Sequence, residues 1–198
     1  MTSFKLSYDY RCPFAKNIHL HVVAALKAGA DFDVTFLPWT MGQGYKAEGA
    51  PDVWDDPKQD SANLALAVST SIRDQQPALF LDAHEALFRA RHERAIRLST
   101  LEQISEVLAP VGVDMAMVEA DLATRRPFTV LGETFREMGR YEAFGVPTFV
   151  VNDDATFVRY MKPPTEDAAK SAEIISSLVS LMANQVDLNE FKHTKVPN

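Results

Sequence analysis

The stretch DYRCPFAK, residues 9–16, lies between a strand-like run and a helix-like run, and it holds the only cysteine of the chain. Before it, FKLSYDY (4–10) alternates apolar and polar side chains, the period of a strand. After it, FAKNIHLHVVAALKAG (14–29) places Phe14, Ile18, Val22 and Ala25 on one stripe and stops at Gly29. DFDVTFLPW (31–39) alternates again, with Phe32, Val34 and Phe36 pointing one way. Strand, helix and strand within forty residues predict a βαβ unit and a parallel strand pair, because a helix of this length returns the chain to its starting edge. Whatever else the chain does, it must build a sheet covered by helices.

The rest of the chain supplies both. TMGQGYKAEGAPDVWDDPKQD (40–60), rich in Gly, Pro and Asp, reads as a long functional or mobile loop. From about Ser61 to Arg125 the pattern is helical: SANLALAVSTSIRDQQ, then PALFLDAHEALFRARHERA with Pro77 in its first turn, then STLEQISEVLA and DMAMVEADLATRR with Ser/Thr and Asp caps. TVLGETFREMGRYEAFG predicts a helix ending at Gly145, VPTFVVNDDATFVRYM a hairpin turning at Asn-Asp-Asp, and TEDAAKSAEIISSLVSLMANQ a closing helix capped by Thr165. The expected fold is α/β, with one sheet domain from residues 1–45 and 131–185, an all-helical insertion at 46–130, and a polar tail at 186–198.

Several classes are disfavoured. A net charge of −7 argues against nucleic acid or an anionic membrane as partner. Arg89, Arg91, Arg94 and Arg97 interleave with His92 and Glu93, the pattern of a solvated helix face. No apolar run approaches about 20 residues, so no spanning helix is expected. MTSFKLSYDY lacks the apolar segment of a secretory leader, and one cysteine makes no internal disulfide; both point to the cytoplasm. No His/Cys cluster has metal-ligand spacing and no glycine-rich loop follows a strand, so no metal and no tightly bound cofactor is expected.

The chemistry therefore centres on Cys12. A thiolate at a helix N-terminus is favoured by free N–H groups and the dipole, which bring such pKa values to roughly 3.5–7.5. Pro13 fits the first helical turn, and Arg11 and Lys16 add positive charge. Asp9, three residues before Cys12, is a capping residue for the turn. His19 and His21 lie about two turns along the helix, too far for a base in contact with the thiol. His84 in the helical block reads as a surface residue more readily than a groove residue. Phe14, Trp39, Trp54 and Phe144 are candidates for an apolar wall around Cys12, with core packing the equal alternative for Phe144.

CPFA after the first strand and FGVPTFVV far downstream resemble the two active-site loops of the thioredoxin superfamily. The helical block, with ALFRARHERA and LEQISEVLAPVGVD, resembles its DsbA-like branch. That branch includes disulfide oxidoreductases, FrnE-like proteins, mycothiol-dependent nitroreductases, 2-hydroxychromene-2-carboxylate isomerases and kappa-class glutathione transferases. The resemblance covers residues 4–183. It implies a thioredoxin fold with an inserted helical subdomain, Cys12 as nucleophile, and Pro13, Phe14, Ala15, Trp39, Val146 and Pro147 as the thiol-binding surroundings. It implies a cis bond at Val146–Pro147 that leaves the Val146 backbone open to an extended ligand. Ala15 stands where dithiol members carry a resolving cysteine, so any mixed disulfide needs an external thiol. Three roles stay open. In the first, Cys12 uses mycothiol or glutathione as co-substrate to exchange with a disulfide or reduce a small electrophile. In the second, Cys12 orients a bound glutathione thiolate in an isomerase or transferase. The third is non-catalytic binding. Relatives of this kind are often dimers, so a homodimer is an expectation of the same resemblance.

Overall fold

The computed structural model describes residues 2–195; positions 196–198 of the polar tail lie outside the described residues. The βαβ unit forms as its periodicity predicts. Strand β1 (Thr2–Tyr8) leads into helix α1 (Pro13–Lys27) and then β2 (Phe32–Pro38). β1 and β2 pair in parallel from Thr2 opposite Phe32 to Tyr8 opposite Pro38. On its other side β1 meets β3 (Thr148–Val151) antiparallel, with Leu6 opposite Phe149, and β3 turns into β4 (Asp154–Phe157). The sheet order is β2-β1-β3-β4. Asn152 and Asp153 take φ of 51° and 61°. That left-handed pair matches the twist of a tight hairpin, and short Asn and Asp side chains tolerate it best.

Five helices run between β2 and β3: α2 (Asp60–Gln75), α3 (Phe80–Glu93), α4 (Leu101–Leu108), α5 (Met115–Ala123) and α6 (Arg126–Gly139). α2 packs on α3, α5 and α6, while α1 packs on α3 and on the closing helix α7 (Ala168–Asn184). One apolar core joins these helices to the sheet; Leu6, Tyr8, Ile18, Leu66, Leu87, Phe88 and Phe149 are all fully buried in it. No helix among the described residues is long and apolar enough to cross a membrane.

Two helix boundaries differ from expectation. α6 ends at Gly139, six residues before Gly145, because Glu142 turns left-handed (φ 53°) and redirects the chain toward β3. α7 is capped by Asp167, whose carboxylate accepts the Lys170 N–H at 3.1 Å; Thr165 instead accepts the N–H of Asp167 at 3.4 Å. The 40–60 loop is also more ordered than its composition suggests. It holds short 3-10 turns at Met41–Tyr45 and Pro57–Gln59, and Trp54 is buried on α6. Gly132 makes room for that ring: a Cβ there would lie 2.7 Å from Trp54 Nε1.

Candidate active site

β1 ends at Tyr8, and the next four residues close a turn in which the Asp9 carbonyl accepts the Cys12 N–H at 3.0 Å. The Asp9 side chain holds that turn shut. Its carboxylate, 1% exposed, accepts the Arg11 N–H at 2.9 Å, the Arg11 guanidinium at 2.9 and 2.5 Å, and the Met41 N–H at 3.0 Å. Arg11 also donates to Thr40 Oγ1 at 3.1 Å. A buried carboxylate persists only when paired and hydrogen-bonded, and Asp9 is both. It clamps the cysteine turn to the loop after β2, a larger role than local capping.

Cys12 is the N-cap of α1, with Pro13 next in the first turn. Its Sγ accepts the Ala15 N–H at 3.5 Å and donates to the Val146 carbonyl at 3.2 Å. The Val146–Pro147 peptide is cis. Three bonds seat this second loop: Thr148 N–H to Ser7 Oγ at 2.9 Å, Thr148 Oγ1 to the Gly145 carbonyl at 2.8 Å, and Val158 N–H to the Pro147 carbonyl at 3.1 Å. The thiol thus lies against a cis-proline turn 134 residues further along the chain.

The electrostatics differ from the helix-tip expectation. Burial pushes the Cys12 thiol above its ordinary value; the Ala15 and Phe14 amides pull it down, the Asp9 charge pushes it up, and Arg159 pulls it down. Desolvation outweighs the helix N-terminus because the residue is only 7% exposed. Nor does Arg11 supply the positive charge, since its guanidinium is held on Asp9. Arg159 is the cation that acts on the sulfur. It follows β4, stacks over Phe14 with its guanidinium carbon 5.0 Å from the ring centre, and lies 5.9 Å from that of Phe157. Nothing in the sequence singles it out, because its proximity to Cys12 arises only when β4 continues alongside Pro147.

The expected surroundings divide into two groups. Pro13, Phe14, Ala15, Val146 and Pro147 lie together at Cys12, with Ala15 and Val146 buried and Phe14 half-buried. Trp39 is turned into the core, 6% exposed, its ring stacked 5.2 Å from Phe135. Trp54 packs on the same Phe135. Both indoles fill the space under α6, so neither is presented as a solvent-facing wall. Phe144 is the reverse case: 78% exposed, it rests on Phe157 at 5.1 Å.

The histidines form an arrangement that spacing does not show. Tyr10 Oη lies 2.7 Å from His84 Nδ1, His84 Nε2 lies 2.9 Å from His19 Nδ1, and His19 Nε2 lies 3.1 Å from the Ser7 carbonyl. A carbonyl only accepts, so His19 carries its proton on Nε2. His84 then donates from Nε2, and Tyr10 donates to His84. With both rings neutral every link of this chain is made. Burial agrees, holding His19 down to about 3 and His84 well below its ordinary value. His84 is fully buried, neither on the surface nor in a groove. His92 donates to the Tyr10 carbonyl at 2.8 Å, a further strut under the cysteine turn. Among the described residues no group of three or more His, Cys, Asp or Glu side chains could hold a metal ion.

With this geometry established, comparison with known proteins gives a consistent picture. The family model for the DSBA-like thioredoxin domain matches residues 5–173. The thiol:disulfide interchange protein DsbA of Pseudomonas aeruginosa is 37% identical over 79 residues, 38% of this chain and 36% of that protein, so the match spans about a third of the curated relative. Among solved structures, the cytosolic disulfide reductase DsbM from Pseudomonas aeruginosa with GSH aligns at a TM-score of 0.62 and 16% identity, covering 90% of this chain and all of that one. MdbA, a thiol-disulfide oxidoreductase from Actinomyces oris, aligns at 0.60 and 15% identity, covering 90% and 79%. The DsbA of Pseudomonas aeruginosa aligns at 0.54 and 23% identity, covering 93% and 83%. At these identities the structural likeness establishes the fold: a thioredoxin fold bearing additional helices.

Proposed function

Because this chain belongs to the DSBA-like thioredoxin domain family, we propose that it is a thiol-dependent oxidoreductase whose single nucleophile is Cys12 and whose co-substrate is a low-molecular-weight thiol, glutathione or mycothiol. The observation that carries this proposal is the Cys12 Sγ at the N-cap of α1, 3.2 Å from the carbonyl that precedes cis-Pro147. In the forward step the Cys12 thiolate attacks one sulfur of a disulfide. The S–S bond breaks, Cys12 forms a mixed disulfide, and the other sulfur leaves as a thiolate that takes up a proton. A second thiolate then attacks the mixed disulfide and returns Cys12 to the thiol. Ala15 offers no internal thiol for that second step, so the resolving sulfur comes from outside. Pro13, Phe14 and the backbone of Val146 and Pro147 form the binding surroundings. A reducing, cytoplasmic setting suits a lone thiol with this cycle.

A second role is favoured by one specific feature. The thiol is pushed up by burial and donates its hydrogen to a carbonyl. A neutral S–H of this kind can donate instead to the thiolate of a bound glutathione, the role expected in an isomerase or transferase.

Mass spectrometry after incubation with oxidised glutathione, and separately with oxidised mycothiol, tests both roles. A mass gain of one thiol, lost in Cys12→Ala, is the expected result. Thiol binding without a mass gain, retained in Cys12→Ser, would assign the second role. No adduct and no binding would refute both.

A further inference from the structure

The charge around Cys12 runs against that of the molecule. The chain carries −7 overall, yet the acid that acts on the thiol, Asp9, is ion-paired with Arg11. The cation on the open side, Arg159, forms no ion pair among the described residues. Lys16, one helical turn past Cys12, likewise has none. Arg159 is nevertheless held in place, because its guanidinium lies over the Phe14 ring and beside Phe157. Its position is fixed through the backbone as well. Thr148 pairs with Phe157 and Val158 donates to the Pro147 carbonyl, so continuing the register sets Arg159 opposite Val146, the residue whose carbonyl faces the sulfur. A guanidinium held over an aromatic ring keeps N–H groups free for a carboxylate and loses little freedom when it binds one.

We propose that Arg159 is a specificity-determining residue that takes a carboxylate of the thiol or disulfide reacting at Cys12, and so selects anionic thiols such as glutathione over uncharged ones such as mycothiol. This rests on the thiol-exchange role proposed above and narrows its substrate class. Phe14, Phe157 and the exposed Phe144 form an apolar shelf beside the cation, on which the uncharged part of such a substrate rests. The exchange step is unchanged: the carboxylate is bound and neither it nor Arg159 gains or loses a proton or electron.

The test compares Cys12 mixed-disulfide formation with three disulfides of different charge: oxidised glutathione (anionic), 2-hydroxyethyl disulfide (uncharged) and cystamine (cationic). The readout is the rate ratio of the anionic to the uncharged disulfide for the same protein, in which any change in thiolate fraction cancels. Arg159→Gln is expected to lower that ratio about three- to five-fold, the scale of one exposed charge pair. Arg159→Glu is expected to favour cystamine, and Arg159→Lys to retain part of the wild-type ratio. Raising the salt concentration should shrink the wild-type ratio and leave that of Arg159→Gln nearly unmoved. Equal ratios in wild type, Arg159→Gln and Arg159→Glu would overturn the assignment while leaving thiol exchange at Cys12 intact. Failure of all three disulfides to form an adduct would remove the exchange role and this inference with it.

Discussion

Acid should destabilise this protein well above the pH at which carboxylates titrate, because burial keeps two enclosed histidines neutral. His19 and His84 are fully buried, hydrogen-bonded to each other at 2.9 Å, and walled by Tyr8, Phe36, Phe80 and Phe88. Unfolding exposes both to water, where a histidine takes up a proton near pH 6.5. The unfolded chain then binds protons that the folded chain refuses. Stability is complete above about pH 7.5 and falls as pH drops below about 6.5. For His19, held to about 3, the full loss on acidification is about 5 kcal/mol at 1.36 kcal/mol per pH unit. Between pH 7.5 and 5.5 each fully buried histidine costs about 1.4 kcal/mol, so the pair costs up to about 2.7 kcal/mol. His21, buried, and His92, half-buried, are lowered by burial in the same direction and add to the slope. Against a typical stability of about 5–15 kcal/mol that loss is large. Urea unfolding followed by circular dichroism at pH 7.5, 6.5 and 5.5 measures it. His84→Phe keeps a ring in the space and removes one titrating group, so its stability should fall by about 1.4 kcal/mol less between pH 7.5 and 5.5. A wild-type stability that is level from pH 7.5 to 5.5 would refute the neutral, mutually bonded pair.

Other outcomes follow from single contacts. The rate of Cys12 alkylation by iodoacetamide should still be climbing with pH near about 8.5, the ordinary thiol value, because burial pushes the thiol up; a plateau below neutral pH would contradict this. Asp9→Ala should cost about 2–3 kcal/mol in urea unfolding, less than a fully enclosed ion pair, because Arg11 still reaches solvent. Gly132→Ala should cost about 1–3 kcal/mol, since its Cβ would drive into the Trp54 indole, and should blue- or red-shift the tryptophan emission as the ring moves.

The pieces whose cause is local were legible in the residues alone. Alternation in FKLSYDY and DFDVTFLPW, and the stripe between them, set the parallel pair with a cysteine at the helix tip. Asn152 and Asp153 set the hairpin, since few residues other than glycine accept left-handed backbone as readily. The electrostatic character of Cys12 was decided elsewhere. Desolvation is a sum over everything packed around a group, and here it exceeds the pull of two helix amides. Distant partners were equally out of reach of local pattern. His19 meets His84 across 65 residues, Cys12 meets Val146 across 134, and Trp39 and Trp54 meet on Phe135 beneath α6. An isolated histidine, tryptophan or arginine reads alike whether it faces water or a ring. Only the packing of α1, α3, α6 and the β3–β4 hairpin onto one core brought the histidines together, buried the indoles and left Arg159 beside the sulfur.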